Sequence, residues 1–410
     1  MSSIVSPYLQ LFWVATYGSD VAGDGSFDRP WASISGAMPK LPQTGGTLIV
    51  REGIYTSPAR INRKFTNWLI IRSEYPLRAQ ISVAQQTSVL VVDAAFVEIS
   101  GFDINRSTPQ TAAPLAFQVA RSSNIILRNN VIHDSRNNDV LKLNEASQNL
   151  LIIGNVFYNQ EGPAGEHIDS NGCTNVTIRD NIFFNDFAGS NTQDQKTTGP
   201  YIVVKNSGEV PDNRHTQISN NIFLNWEGGS GRNFILLGED GKPFYETQDV
   251  LIENNLLIGN SRERMRSAFD AKGVTDVVLR NNTFTGDLPS SAFAIRLNQE
   301  GRNLPNRNIR FVNNIWSDPT GTMDNFSDGM PSESTGLELW NNVYWNGGTP
   351  VPGGSVLKPS DDSQAMYDDA LLGSQDSVVL PRWTGYSFLS GSQNYPAGVR
   401  TTGEPLWLTG

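Results

Sequence analysis

The chain has 410 residues, a formal net charge of −10 and 38% hydrophobic residues, an ordinary share for a folded protein. The acidic balance, without a basic stripe interleaved with aromatics, argues against nucleic acid as a partner. A lone cysteine, Cys173, rules out an internal disulfide and reads as a small buried corner residue, and no stretch nears the roughly 20 apolar residues that cross a bilayer.

In chain order, residues 12–16 read as a first strand, followed by a Gly-Asp loop. Residues 30–41 have a helix start, with Asp28 near the N-cap and Pro30 in the first turn, and form an N-terminal cap. Strand-like runs follow at 47–50, 68–72 and 88–99, and from Leu115 the pattern becomes regular. Two copies of one unit stand between Val140 and Asn185. An alternating run (Leu141-Lys142-Leu143; Ile168-Asp169-Ser170) leads to a corner at Asn149 or Asn175. A second run ends at a corner at Asn155 or Asn181, before an apolar-aromatic pair. Three period-2 runs per unit describe one coil of a parallel β-helix.

The most diagnostic mark is Asn followed by an apolar residue, at Asn130, Asn155, Asn181, Asn221, Asn255, Asn314 and Asn342, with a weaker copy at Asn282. Such side chains are expected to bond to their counterparts one coil away. Residues 186–200 form an insertion, and further loops stand at 227–232 and 240–247. Repetition stops near Trp345-Asn346. The expected fold is all-β: a single-stranded right-handed parallel β-helix over 47–346, a cap over 1–46 with a short helix, and an irregular tail over 347–410.

Stacking the first strands in register gives a charged ladder. Lys142, Asp169, Lys205, Asp270 and Arg296 point outward on successive coils, roughly 4.8 Å apart. A neighbouring column holds Asn144, Asn171, Asp240, Lys272 and Asn298, with His167 flanking. The ladder is either a neutralised solvated face or the floor of a groove walled by the insertions. Outward placement implies that substituting the ladder residues changes stability by less than ~1 kcal/mol.

With that pattern laid out, residues 10–346 resemble the pectate-lyase-like right-handed β-helix superfamily, and the opening VATYGSDVAGDGSFDRPWASISGAM resembles a segment common in its secreted members. The resemblance implies a carbohydrate-active protein that is extracellular or periplasmic, although no signal peptide is visible in the chain. The polygalacturonase pattern (Asn-Thr-Asp-Gly, His-Gly, Arg-Ile-Lys) is absent, as is an Arg-His-Gly signature, so no catalytic residue transfers by motif.

Three functions stay open. A polysaccharide lyase acting on an acidic polymer is favoured, with Lys142 or Lys205 as a base of lowered pKa, His167 as base or acid, and Arg296, Arg266 or Ca²⁺ holding the uronate carboxylate. A glycoside hydrolase needs two carboxyl groups about 5 to 9 Å apart, drawn from Glu166, Asp169, Asp270, Glu239 and Asp240. A non-catalytic adhesin or tailspike-like module is the third. Asn144, Asn171 and Lys272 are expected to help bind the substrate. No cofactor is required by the sequence, but Asp139, Glu166, Asp169 and Asn171 offer oxygen ligands for Ca²⁺. His133 and His215 read as structural, and a zinc site is disfavoured.

Overall fold

The structure is a computed structural model that describes residues 10–107, 114–162, 165–187, 198–210, 214–227, 232–259, 265–286 and 293–372, together with the backbone at 383–384 and 387–388. Short alternating runs of aliphatic residues build three long parallel sheets. Sheet I has 12 strands, sheet II has 11 and sheet III has 10. Each coil gives one strand to each. Leu141–Asn144 lies in sheet III, Gln148–Ile153 in sheet I and Val156–Tyr158 in sheet II, and the chain re-enters sheet III at Ile168–Asn171. Strands close in sequence therefore never pair within the coil, and each pairs with its counterpart one coil away.

Every second side chain points inward, so one continuous core runs through the coil. Leu141, Ile168, Ile202, Ile235, Phe269 and Ile295 stack within it. Phe157, Phe183 and Phe223 stack on the sheet II side at centroid spacings of 5.1 and 4.9 Å.

The corner from sheet I to sheet II explains the recurrent Asn. Its first residue is left-handed, with φ between 55° and 58° at Asn129, Asp180, Asn220, Asn254, Asn281, Asn313 and Asn341, a conformation that Asn and Asp reach at low cost. The second residue is the ladder asparagine. From Asn130 to Asn342 each Nδ2 donates to the Oδ1 of the next rung at 2.9–3.1 Å. Asn282, read as a weaker copy, is a full rung. The column ends on Asp362, whose carboxylate accepts from Asn342 Nδ2 (2.8 Å) and from the backbone N–H of Asn341 and Asn342.

Three expectations need correction. The N-terminal helix is a single turn, Ile34–Ala37, capped by Ser33 and not by Asp28. Sheet I begins with Leu11–Val14, a strand within the stretch read as the cap, and sheet II begins with Gly53–Tyr55. The third concerns register: Asn171 pairs with Lys205, and the place opposite Asp169 belongs to Val203, followed by Leu236 and then Asp270. Lys205 stands in the neighbouring column, and Asp240 follows the strand Asn233–Leu237 on a loop. Most of the tail after Leu372 lies outside the described residues.

Candidate active site

The longest corners lead from sheet II back to sheet III, where the polar side chains of the outer face begin. The limb 198–200 returns over Glu166; a Cβ on Gly199 would come within 2.7 Å of Glu166 Oε1. Glu227 ties the roots of two insertions by accepting from Phe187 N–H at 2.9 Å. The stretches 188–197 and 228–231 lie outside the described residues. At the opposite edge, the loop 238–246 carries Glu239 and Asp240 toward the same face.

Between these edges Asp139, Glu166 and Asp169 converge, with one carboxylate oxygen from each within 4.8 Å of the others. All three are at most 3% exposed. Lys142 Nζ lies 3.1 Å from Asp139 Oδ2 and also donates to Asp169 Oδ2. Lys205 Nζ lies 3.8 Å from Asp169 Oδ2, 2.5 Å from Glu239 Oε2 and 3.9 Å from Asp240 Oδ1. The slip in register thus does not part Lys205 from Asp169, because the long side chain reaches back diagonally. Among the described residues Asp169 Oδ1 has no hydrogen-bond partner.

Each group's protonation follows from its place. Burial pushes the Glu166 carboxyl well above its ordinary value, and Asp139 and Asp169 add to the push. Asp169 is raised by burial and by Asp139, against the pull of Lys205 and Lys142. For both lysines burial works against the charge, yet Asp169 with Asp139, or Asp169 with Glu239, outweighs it and holds the ammonium above its usual range. This reverses the expectation of a lysine with lowered pKa: both amines are firmly protonated.

His167 does not flank the outer face. It is fully buried inside the coil, stacked on Tyr201 at 4.2 Å and near Phe183 at 6.0 Å, with Nε2 3.1 Å from Asn185 Oδ1. Burial lowers its pKa to about 3. Its parity is that of the residue before an inward-facing isoleucine, at a strand edge where the corner turns it in. Asn144 Oδ1 accepts from Gln118 at 3.3 Å, and Asn171 is engaged with Ser207 through both ends of its amide.

Farther along the same face, Arg296 bonds Asp328 (3.0 Å) and approaches Asp270 (3.6 Å). Arg266 lies 3.7 Å from Asp328, and Lys272 pairs with Glu300 at 2.5 Å. Burial raises Asp270 to about 6 against the pull of Lys272, Arg296 and Arg266. Three register steps separate Asp169 from Asp270, roughly 14 Å. That is too far for the two to act as one hydrolytic pair.

No protein-family model and no curated protein matches the chain. Solved structures do. An alginate lyase from Paenibacillus sp. str. FPU-7 is 14% identical over 75% of this chain and 95% of its own, with TM-score 0.50. An endo-xylogalacturonan hydrolase from Aspergillus tubingensis is 12% identical over 89% and 98%, with TM-score 0.53. The fold is a right-handed parallel β-helix. A lacto-N-biosidase from Eubacterium ramulus shares it at 12% identity over 88% and 67%, with TM-score 0.54. Structures of this fold thus include a lyase and hydrolases alike, so the reaction has to be argued from the side chains.

Signals for two participants were weak in the sequence. Asp139 precedes its strand within a polar corner, and its part in the carboxyl triad depends on how that corner folds. Glu239 belongs to a loop whose path the repeat pattern does not describe.

Proposed function

We propose that this chain is a carbohydrate-active enzyme that cleaves an acidic polysaccharide by β-elimination on the outer face of sheet III. The observation that carries the reading is a pair of partly exposed cations. The side chains of Lys142 and Lys205, 26% and 12% exposed, both contact Asp169, whose side chain is 2% exposed. Fixed cations of that kind neutralise a uronate carboxylate and so acidify the proton at C5. In this reading the lysines are anion anchors. The base is Glu239, the carboxylate at the groove edge bonded to Lys205, with a side chain 22% exposed. Glu239 takes the C5 proton, the C–H electron pair becomes the C4–C5 double bond, and the C4–O bond breaks, its oxygen taking a proton from solvent. Arg296, Arg266 and Lys272 extend the cationic face toward further sugars. The resemblance makes an extracellular or periplasmic setting the expected one. Among the described residues no helix is long and apolar enough to cross a membrane.

The residues also fit a calcium ion. Asp139, Glu166 and Asp169 present three converging oxygens, and among the described residues Asp169 Oδ1 is a buried acceptor without a partner. Bound there, the ion would add a fixed positive charge beneath the substrate carboxylate.

Hydrolysis is the second reading, favoured by one observation: burial pushes the Glu166 carboxyl upward within reach of Asp169, the direction an acid partner requires. Incubation with a panel of uronans and neutral glycans separates the readings. Ultraviolet absorbance of unsaturated products supports elimination, and reducing ends without absorbance support hydrolysis. Binding without either product supports an adhesin or tailspike-like role. On the elimination reading Glu239→Gln lowers kcat by about 10² to 10⁴, and wild-type kcat in that variant overturns the assignment of the base.

A further inference from the structure

The loop 238–246 is organised around one of its own side chains. Glu246 is fully buried. Its Oε2 accepts from the backbone N–H of Glu239 (3.1 Å) and Asp240 (3.0 Å), and its Oε1 from Lys242 N–H (3.1 Å) and Asn303 Nδ2 (2.8 Å). A carboxylate accepting several N–H groups is a strong local tie. The loop also leaves the strand Asn233–Leu237 through Gly238, at φ +73, where a Cβ would meet Lys272 O at 1.8 Å. Its path is therefore set at the root by that close backbone approach and in the middle by Glu246. Of the three residues whose backbone amides Glu246 holds, two, Glu239 and Asp240, are those whose carboxylates face Lys205. Asp240 is fixed once more by Ser207 Oγ, which in turn holds Asn171.

We infer that Glu246 is a positioning residue for the active site: it holds Glu239 and Asp240 over Lys205 and does not itself touch the substrate. The inference rests on the elimination reading, in which Glu239 is the base. Without Glu246, three backbone N–H groups lose their acceptor and the loop relaxes into solvent. Glu239 is then displaced from the C5 proton, while the rest of the face remains.

The test is a double-substitution cycle on a cleaved uronan. Glu246→Ala is expected to lower kcat about 10²-fold, the order of loss that follows from misplacing a reacting group by ~1 Å. KM should change less, because Lys142 and the distal cations still bind the polymer. In a Glu239→Gln background the same Glu246→Ala change should lower kcat less than about twofold, since the group it positions is already gone. Should Glu246→Ala fail to fold, Glu246→Gln, which keeps one acceptor oxygen, carries the same cycle. Amide hydrogen exchange of 238–246 should rise in the variant and not elsewhere on sheet III. Equal losses in both backgrounds, or wild-type kcat for the Glu246 variants beside a crippled Glu239→Gln, overturn the positioning role. Wild-type kcat in Glu239→Gln itself overturns the assignment of Glu239 as the base, on which it stands, and cleavage without ultraviolet-absorbing products overturns the elimination reading.

Discussion

Replacing Lys142 with alanine is expected to destabilise the fold far more than its outward position implies. The ammonium is the nearest counter-charge for two carboxylates, Asp139 and Asp169, that are 1% and 2% exposed. Removing one partner of a buried pair costs about 3–5 kcal/mol. Lys142 is itself a quarter exposed, which reduces the figure to about 2–4 kcal/mol. An independent ceiling agrees: protonating one carboxyl at pH 7 from an ordinary value near 3.9 costs about 4 kcal/mol, at 1.36 kcal/mol per pH unit. The ceiling also sets the sign of the pH dependence. In the variant the folded triad holds a proton that the unfolded chain releases above pH ~4, so the folded state binds more protons and stability falls as pH rises. Urea unfolding at pH 7 and pH 5 measures this, with a loss at pH 5 near 1.5 kcal/mol or below. Adding Asp169→Asn should recover most of the pH 7 loss. A cost below about 1 kcal/mol at pH 7, or one independent of pH, refutes the reasoning.

Asn181→Ala removes four buried hydrogen bonds and leaves Asn155 N–H without its side-chain acceptor, so a loss of about 2–4 kcal/mol in urea unfolding is expected. Burial disfavours charge on His133, yet Asp103 and Asp134 at 3.0 and 2.6 Å hold its pKa up at about 9. That raised value makes about 3 kcal/mol of stability fully present below pH ~6.5 and lost as pH rises through 9; His133→Gln should abolish the slope. Calcium is expected to raise the urea midpoint of the wild type, and not that of Asp139→Asn/Glu166→Gln; equal shifts in both count against the carboxyl triad as the site.

The coil was legible because its period is enforced by local chemistry. A left-handed corner followed by a buried amide demands Asn at one place per coil, and sequence displays that directly. The charged ladder was legible only in part. Lys142, Asp169, Asp270 and Arg296 fall in one outward column, but Lys205 slipped by two residues. Parity is kept by such a slip, so the inward Val204 still fitted and gave no warning. Protonation was the least readable property. Outward residues of a bare coil are solvated, but here the limb 198–200 returns over Glu166, Lys142 and Lys205 pack against Asp169, and burial reverses what exposure would imply. His167 was misplaced for a related reason: it precedes its strand, where the period-2 rule has not yet taken hold.

The asparagine column has an electrical consequence. Every amide in it is oriented the same way: its oxygen accepts from the N-terminal side, one hydrogen goes to the next rung and the other to a backbone carbonyl of the preceding coil. Aligned amide dipoles add, as peptide dipoles do along an α-helix, so the buried column is a side-chain counterpart of a helix macrodipole with its positive pole at Asn342. That pole is where Asp362 sits. Although burial opposes its charge, the N–H groups of Asn342 and its neighbours hold its carboxyl below the usual value. An amide both gives and receives, so each rung calls for another; a carboxylate only receives. Asp362 therefore both neutralises the pole and closes the series, and the length of the coil is written in the chemical difference between one oxygen and one NH₂.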